Sequence, residues 1–248
     1  MTVLDAIAEK KARLARLRPL QPEALNKLEH YFDVEITFTS NAIEGNTLSP
    51  VETTLVIEQG ITIGGKPLKD HLETLDHYDA IRYVREFARE KAPVMESDVR
   101  NLHRLVMQRS RPDIAGRYAD LARYVRTDTG RHEFPSPVAV PALMGDFAKW
   151  IGGAPATAEA AFTAHGRLVD IHPFNDGNGR TARLLMNLML IRSGYPPITV
   201  RPEDRPAYIR ALPQAQAGLG TQSLDDLLYQ RLDAILGEYL GALEGSAS

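Results

Sequence analysis

Apolar residues recur at three- and four-residue spacing along most of this chain, a period that predicts helices rather than strands. The first two run from Leu4 to Leu17 and from Pro22 to Ile43, with Gly45 and Asn46 supplying a left-handed stop after the second. Ser49-Pro50-Val51-Glu52 reads as a fresh start, proline at the first helical position and an acid in the first turn, opening a shorter helix from Val51 to Glu58. Ile61 to Gly65 is β-rich with a glycine pair and predicts a loop or small hairpin. Leu68 to Glu90 returns to the helical period, and Ser97 is the expected cap of a helix from Asp98 to Gln108. From Gly116 to Pro137 that period disappears; Tyr124-Val125-Arg126 and Asp128-Thr129-Gly130 predict two short strands around a turn. Thr157 to Val169 is small and apolar on one side, with His165 expected as a structural residue. Leu184 to Ile191 is apolar nearly all round, the pattern of a centrally buried helix, and Gly194-Tyr195-Pro196-Pro197 stops it. A last helix is expected from Leu224 to Leu243.

Composition narrows the class. At 248 residues and 44% hydrophobic, the chain can bury roughly 70 to 75% of its unfolded surface as one domain. We expect a single domain over residues 1–248. With 29 basic against 32 acidic residues, the formal charge of −3 offers no overall basic field for nucleic acid or anionic lipid. Zero cysteines exclude disulfides, thiolate metal sites and thiol catalysis. No apolar run approaches bilayer length, and Met1 to Arg18 is charged and amphipathic rather than signal-like, so a cytoplasmic protein with no membrane partner is expected.

Chemistry concentrates in His172-Pro173-Phe174-Asn175-Asp176-Gly177-Asn178-Gly179-Arg180-Thr181-Ala182-Arg183, just ahead of the apolar helix. Pro173 disfavours helical geometry at the residue before it, so His172 should close one helix and face the turn. Gly177 and Gly179 permit positive φ and close backbone approach, and a helix opening near Asn178 points unpaired amides into the same turn. The turn becomes an anion cradle. Arg180 and Arg183, three apart, could reach different oxygens of one polyphosphate. Asp176 adds the lone carboxylate that Mg2+ takes beside substrate phosphates, so a Mg-nucleotide is the implied ligand. Gly177-x-Gly179-x-x-Ala182, followed by Glu203, also fits a loose dinucleotide fingerprint, but the strand such a site requires is missing before the glycines. No Walker pattern G-x-x-x-x-G-K-[ST] occurs.

This segment resembles the Fic (filamentation induced by cAMP) motif H-x-F-x-[DE]-G-N-G-R-x-x-R, met at His172, Phe174, Asp176, Gly177, Asn178, Gly179, Arg180 and Arg183. The resemblance, covering roughly residues 39–219, implies a mainly α, Fic-type helical bundle with a small β-hairpin flap. It further implies transfer of AMP from ATP to a Ser, Thr or Tyr hydroxyl of a protein target. His172 would be the general base, needing no pKa shift to be largely neutral at pH 7. Asp176 would hold Mg2+, Gly177 to Gly179 would cradle phosphates with Thr181 and Ala182 beside them, Arg180 would meet the α-phosphate, and Arg183 the β- and γ-phosphates. Ser40-Asn41-Ala42-Ile43-Glu44-Gly45 is similar to the family's inhibitory segment [ST]-x-x-x-E-[GN]. By that resemblance Glu44, at the end of a helix over about 22–45 and on one face with Ser40, pairs with Arg183 and obstructs the γ-phosphate; a plain helix end is the alternative. The flap, about 117–135, would bring Thr129, Gly130, Arg131 and His132 over the nucleotide and dock the target. Arg205 to Ile209 resembles the segment lining the adenine pocket, with Tyr208 the expected contact and Gln216 near the base. Two rival uses stay open: removal of AMP from a modified protein by the same site, and a non-catalytic nucleotide-sensing or toxin–antitoxin role. The target, the preferred base and any homodimer that clamps the inhibitory helix are left open by the sequence.

Overall fold

The computed structural model describes residues 2–90, 92–127, 130–216 and 222–245, the side chains of 126–127, 213–216 and 245 excepted. Among the described residues the fold is mainly helical: α1 (Val3–Arg16), α2 (Pro22–Ile43), α3 (Pro50–Gln59), α4 (Leu68–Ala88), α5 (Glu96–Met107), α6 (Val140–Gly152), α7 (Ala158–Ile171), α8 (Asn178–Arg192), α9 (Arg205–Gln216) and α10 (Gln222–Gly245). Two strands, β1 (Tyr124–Thr127) and β2 (Gly130–Glu133), pair antiparallel with Tyr124 opposite Glu133 and Thr127 opposite Gly130. No helix among the described residues is long and apolar enough to cross a membrane.

The expected central helix is α8. Leu184, Leu185, Leu188 and Leu190 are fully buried, because α7, α4, α5 and α2 all pack around it. A helix enclosed on every side cannot shift without opening the core, so its N-terminus is a fixed platform.

The end of α2 is fixed in its turn. Asn46 N–H donates to Asn41 O (3.1 Å) and Gly45 N–H to Ala42 O (3.1 Å), a Schellman stop made possible by Gly45 at φ +94°. Beyond it, Asp70 Oδ2 accepts from Thr47 N–H (2.8 Å) and Thr47 Oγ1 (2.6 Å), tying this end to the start of α4. Further back, the buried Arg85 donates to Asp33 Oδ1 at 2.6 Å, joining α4 to α2. At the other end of α5, the fully buried Asp76 accepts from the Arg109 and Ser110 amides at 2.9–3.1 Å.

One local expectation needs correction, one pair of alternatives is decided for the loop, and one helix is new. Ser97 lies inside α5; the helix begins one residue earlier, with Asp98 Oδ2 accepting from Met95 N–H (2.7 Å). Residues 61–65 form no strand and are pinned instead by His71, whose Nε2 accepts from Ile63 N–H at 2.8 Å. Helix α6 was not foreseen, although Pro141 in its first turn is a favoured start.

Candidate active site

Helix α7 ends on His172, held at φ +49°, ψ +56°, with its N–H donating to Leu168 O (3.0 Å). A left-handed non-glycine costs about 1–2 kcal/mol, and the reward is orientation. The side chain turns so that Nδ1 lies 3.3 Å from Val169 O. A carbonyl only accepts, so Nδ1 carries the proton and Nε2 keeps its lone pair. Phe134 stacks on the ring, centroids 3.7 Å apart and planes 12° from parallel. Burial pushes the imidazole down to about 4, with Arg123 lowering it further against the opposing Val169 bond, Glu44 and Asp176. The imidazole is therefore neutral at pH 7, through a substantial shift that neutrality at this pH does not require.

The turn after His172 is locked from within. Asn178, nearly fully buried, donates Nδ2–H to Phe174 O (2.8 Å) and accepts Phe174 N–H at Oδ1 (2.9 Å). Beneath it, His103 stacks on Phe174 (3.7 Å, 1°), accepts Gly116 N–H at Nδ1 (3.0 Å) and donates from Nε2 to Asp176 O (3.0 Å). Burial pushes this imidazole to about 4 as well, as a neutral donor–acceptor bridge requires. Gly177 sits at φ +74°, and a Cβ there would lie 2.7 Å from Met107 Sδ. No side chain caps α8 at Gly177, so its first amides stay available to an anion.

An anion is already there. A Cβ on Gly179 would lie 2.6 Å from Glu44 Oε1 and 3.0 Å from Arg183 Nη1, so the Glu44 carboxylate rests directly over the glycine. Arg183 Nη2 donates to that oxygen (2.7 Å) and to Ser40 O (3.0 Å), while Nε donates to Ser40 Oγ (3.0 Å). Burial works against the Arg183 charge, but Glu44 and the Tyr208 hydroxyl hold its pKa above the ordinary value.

Residues 93–190 match the Fic/DOC family model. The whole fold superimposes on the crystal structure of a Fic domain-containing signaling protein of Bacteroides thetaiotaomicron, 33% identical, with a TM-score of 0.87 over 97% of each chain. This chain belongs to the Fic/DOC family. It is 35% identical over 223 residues to the protein adenylyltransferase Fic of Nematostella vectensis, covering 87% of this chain and 51% of that protein. The solved Fic-1 of Caenorhabditis elegans is 30% identical, with a TM-score of 0.83 over 97% of this chain and 71% of that one. The chain spans about half the length of the curated relatives it matches, or less.

The other residues of the Fic motif divide by direction. Arg180 is 2% exposed and does not share the side of Arg183: its guanidinium is enclosed by Glu73 Oε1 (3.1 Å), Met107 Sδ (3.6 Å) and Asp176 Oδ1 (3.8 Å). The Glu73 contact lacks hydrogen-bond alignment and is an ion pair only. Thr181 Oγ1 donates back to Gly177 O (2.9 Å), and Thr181 and Ala182 are both fully buried, so their side chains support the turn from the core. Tyr208 is also buried, under Arg183 (5.9 Å) with its hydroxyl 2.7 Å from His165 Nε2; the expectation that His165 is structural fits this pairing. Asp176 is half-exposed; Oδ1 accepts Gly177 N–H (2.6 Å), and among the described residues Oδ2 accepts no hydrogen bond.

On the hairpin, Arg131 stacks over Tyr124 (3.9 Å) and pairs with Glu133 (3.1 Å), while His132 meets Phe134 edge-on (5.1 Å). Thr129 and the side chain of Gln216 lie outside the described residues. Sequence reading missed Phe134, His103, Glu73 and Arg123. Only His103 left a trace, as an imidazole among the apolar positions Leu102 and Val106 of α5.

Proposed function

We propose that this Fic protein is a protein adenylyltransferase, moving AMP from Mg-ATP to a Ser, Thr or Tyr hydroxyl of a protein target, and that Glu44 restrains it. One observation carries this reading: the cradle grips a carboxylate of its own chain, over Gly179 and against Arg183. A site that holds one anion on a buried guanidinium, beside a helix N-terminus that no side chain caps, is chemically ready for another.

In the released state the triphosphate takes the place of the Glu44 carboxylate, and Arg183 exchanges a carboxylate for phosphate oxygens. His172 Nε2 accepts the proton of the target hydroxyl as its oxygen bonds to the α-phosphorus; the bond from that phosphorus to the bridging oxygen breaks, and pyrophosphate leaves. Neutrality of the imidazole is what the step needs, and burial secures it. Asp176 fits Mg2+, since one oxygen is fixed by Gly177 N–H and the other accepts no hydrogen bond among the described residues, the single carboxylate such an ion takes beside phosphates. When bound there, Mg2+ neutralises charge on the phosphates. Arg180 acts from behind, as a counter-charge near Asp176. With Glu44 in place, two anions compete for one nest at contact distance, which suppresses a productive triphosphate pose.

Intact-mass analysis of the Glu44→Gly protein after exposure to ATP, GTP, UTP or CTP tests the proposal. An added AMP mass with ATP supports it. Unmodified protein with every nucleotide, in the presence and absence of candidate targets, contradicts it.

A further inference from the structure

The hairpin reaches the base through one side chain. Phe134 follows β2 directly, and its N–H donates to Arg123 O (3.1 Å), carrying the ladder one step past the Tyr124–Glu133 pair. Its ring then lies flat on His172 (3.7 Å, 12°) while its other neighbour, His132, packs against it at 81°. Arg123 clamps the same segment, donating from Nη2 to Pro135 O (2.6 Å) and from Nη1 to Leu121 O (3.3 Å). The imidazole is thus bounded by Val169 O at Nδ1 and by Phe134 on a face. The charges that act on it are Arg123 from the segment before β1, Glu44 from the end of α2 and Asp176 from the turn; Asp170 on α7 senses His132 instead.

We propose that Phe134 is a positioning residue that couples the hairpin to the base: a hairpin seated on the body keeps His172 dry and aimed, and one that lifts releases it. A target docked on the hairpin and the imidazole that deprotonates it then share one rigid connection, which positional catalysis rewards. The proposal rests on His172 being the base of the adenylyl transfer described above, while the contact it invokes exists without that chemistry.

The test uses the full chain carrying Glu44→Gly, with Phe134→Ala and Phe134→Leu added separately. His172 is titrated by NMR without nucleotide, its signal assigned by loss in His172→Ala, and the pH profile of AMP transfer is recorded. The parent, lacking the Glu44 carboxylate that raises this imidazole, should titrate no higher than about 4, and Phe134→Ala should move toward the ordinary value of about 6.5. Because the working base is the neutral form, transfer is lost as pH falls through that value. At pH near 5.5 the alanine variant should therefore fall about tenfold relative to its own rate at pH near 8, while the parent holds. Leucine, which keeps apolar cover, should restore most of both readouts. Titration and acid limb unchanged in Phe134→Ala would overturn the coupling. A shifted titration with no AMP transfer in any variant would count against the adenylyltransferase reading and leave the coupling standing.

Discussion

The anion turn and the hairpin bracket the same histidine and are held by opposite means. The turn is built into the core: both amide groups of Asn178 are spent on Phe174, His103 bridges Gly116 and Asp176, and the following helix is buried on every side. The hairpin is a two-stranded ribbon with Tyr124 and Arg131 largely exposed, seated on the body through Phe134 and clamped across its own two ends by Arg123. An isolated ribbon is marginal in water, whereas a buried polar network is stiff once every member is satisfied. Phosphate chemistry needs fixed donors; a protein target needs a surface that adapts. Under the proposed function, the difference in construction follows that division of labour.

Four substitutions would break or sharpen the contrast. His172→Ala should cost the largest factor, on the order of 10²–10⁴ in AMP transfer by a Glu44→Gly protein, while Mg-ATP affinity measured by calorimetry stays put. Loss of binding along with activity would mean the imidazole belongs to the cradle rather than to the proton. Asn178→Ala strands two buried backbone groups of Phe174, at about 2–4 kcal/mol, and the thermal melt should fall accordingly. A melt like wild type would show that the turn is held by something other than this amide.

Third comes Glu44→Gly, which removes the carboxylate from above Gly179. Self-labelling with α-labelled ATP should rise by about 5–150-fold, the range of a coupling worth 1–3 kcal/mol; equal labelling would mean the Glu44–Arg183 pair is only a helix anchor. The smallest effect is expected on the ribbon. Arg131→Ala removes an exposed pair with Glu133 and a cation–π contact with Tyr124, and stability should stay within about 0.5 kcal/mol. A larger drop would place the hairpin in the cooperative core and erase the contrast.

Legibility in the sequence followed locality. The turn was readable because its logic is local: proline after His172, glycines at 177 and 179, and a helix start after Gly177 all lie within a dozen residues. The end of α2 and the start of α3 were readable for the same reason, through Gly45 and Ser49. The Glu44–Arg183 pair joins distant segments and came through family resemblance, not periodicity. Arg180 shows the limit of spacing: two arginines three apart share a helix turn, yet Glu73 on α4 claims one and Glu44 beyond α2 the other. Phe134 was invisible because nothing in a Glu-Phe-Pro run announces an imidazole far along the chain. The shift at His172 was invisible with it, since burial by Phe134 and its surroundings is a property of the packed state.

A crystal structure of the Glu44→Gly protein with Mg-ATP tests the central claim most directly. The account predicts triphosphate oxygens over Gly179, within hydrogen-bond reach of the first amides of α8 and of Arg183, in the place the Glu44 carboxylate now holds. Triphosphate bound elsewhere, with Arg183 still turned to Ser40 and the nest filled only by water, would contradict it.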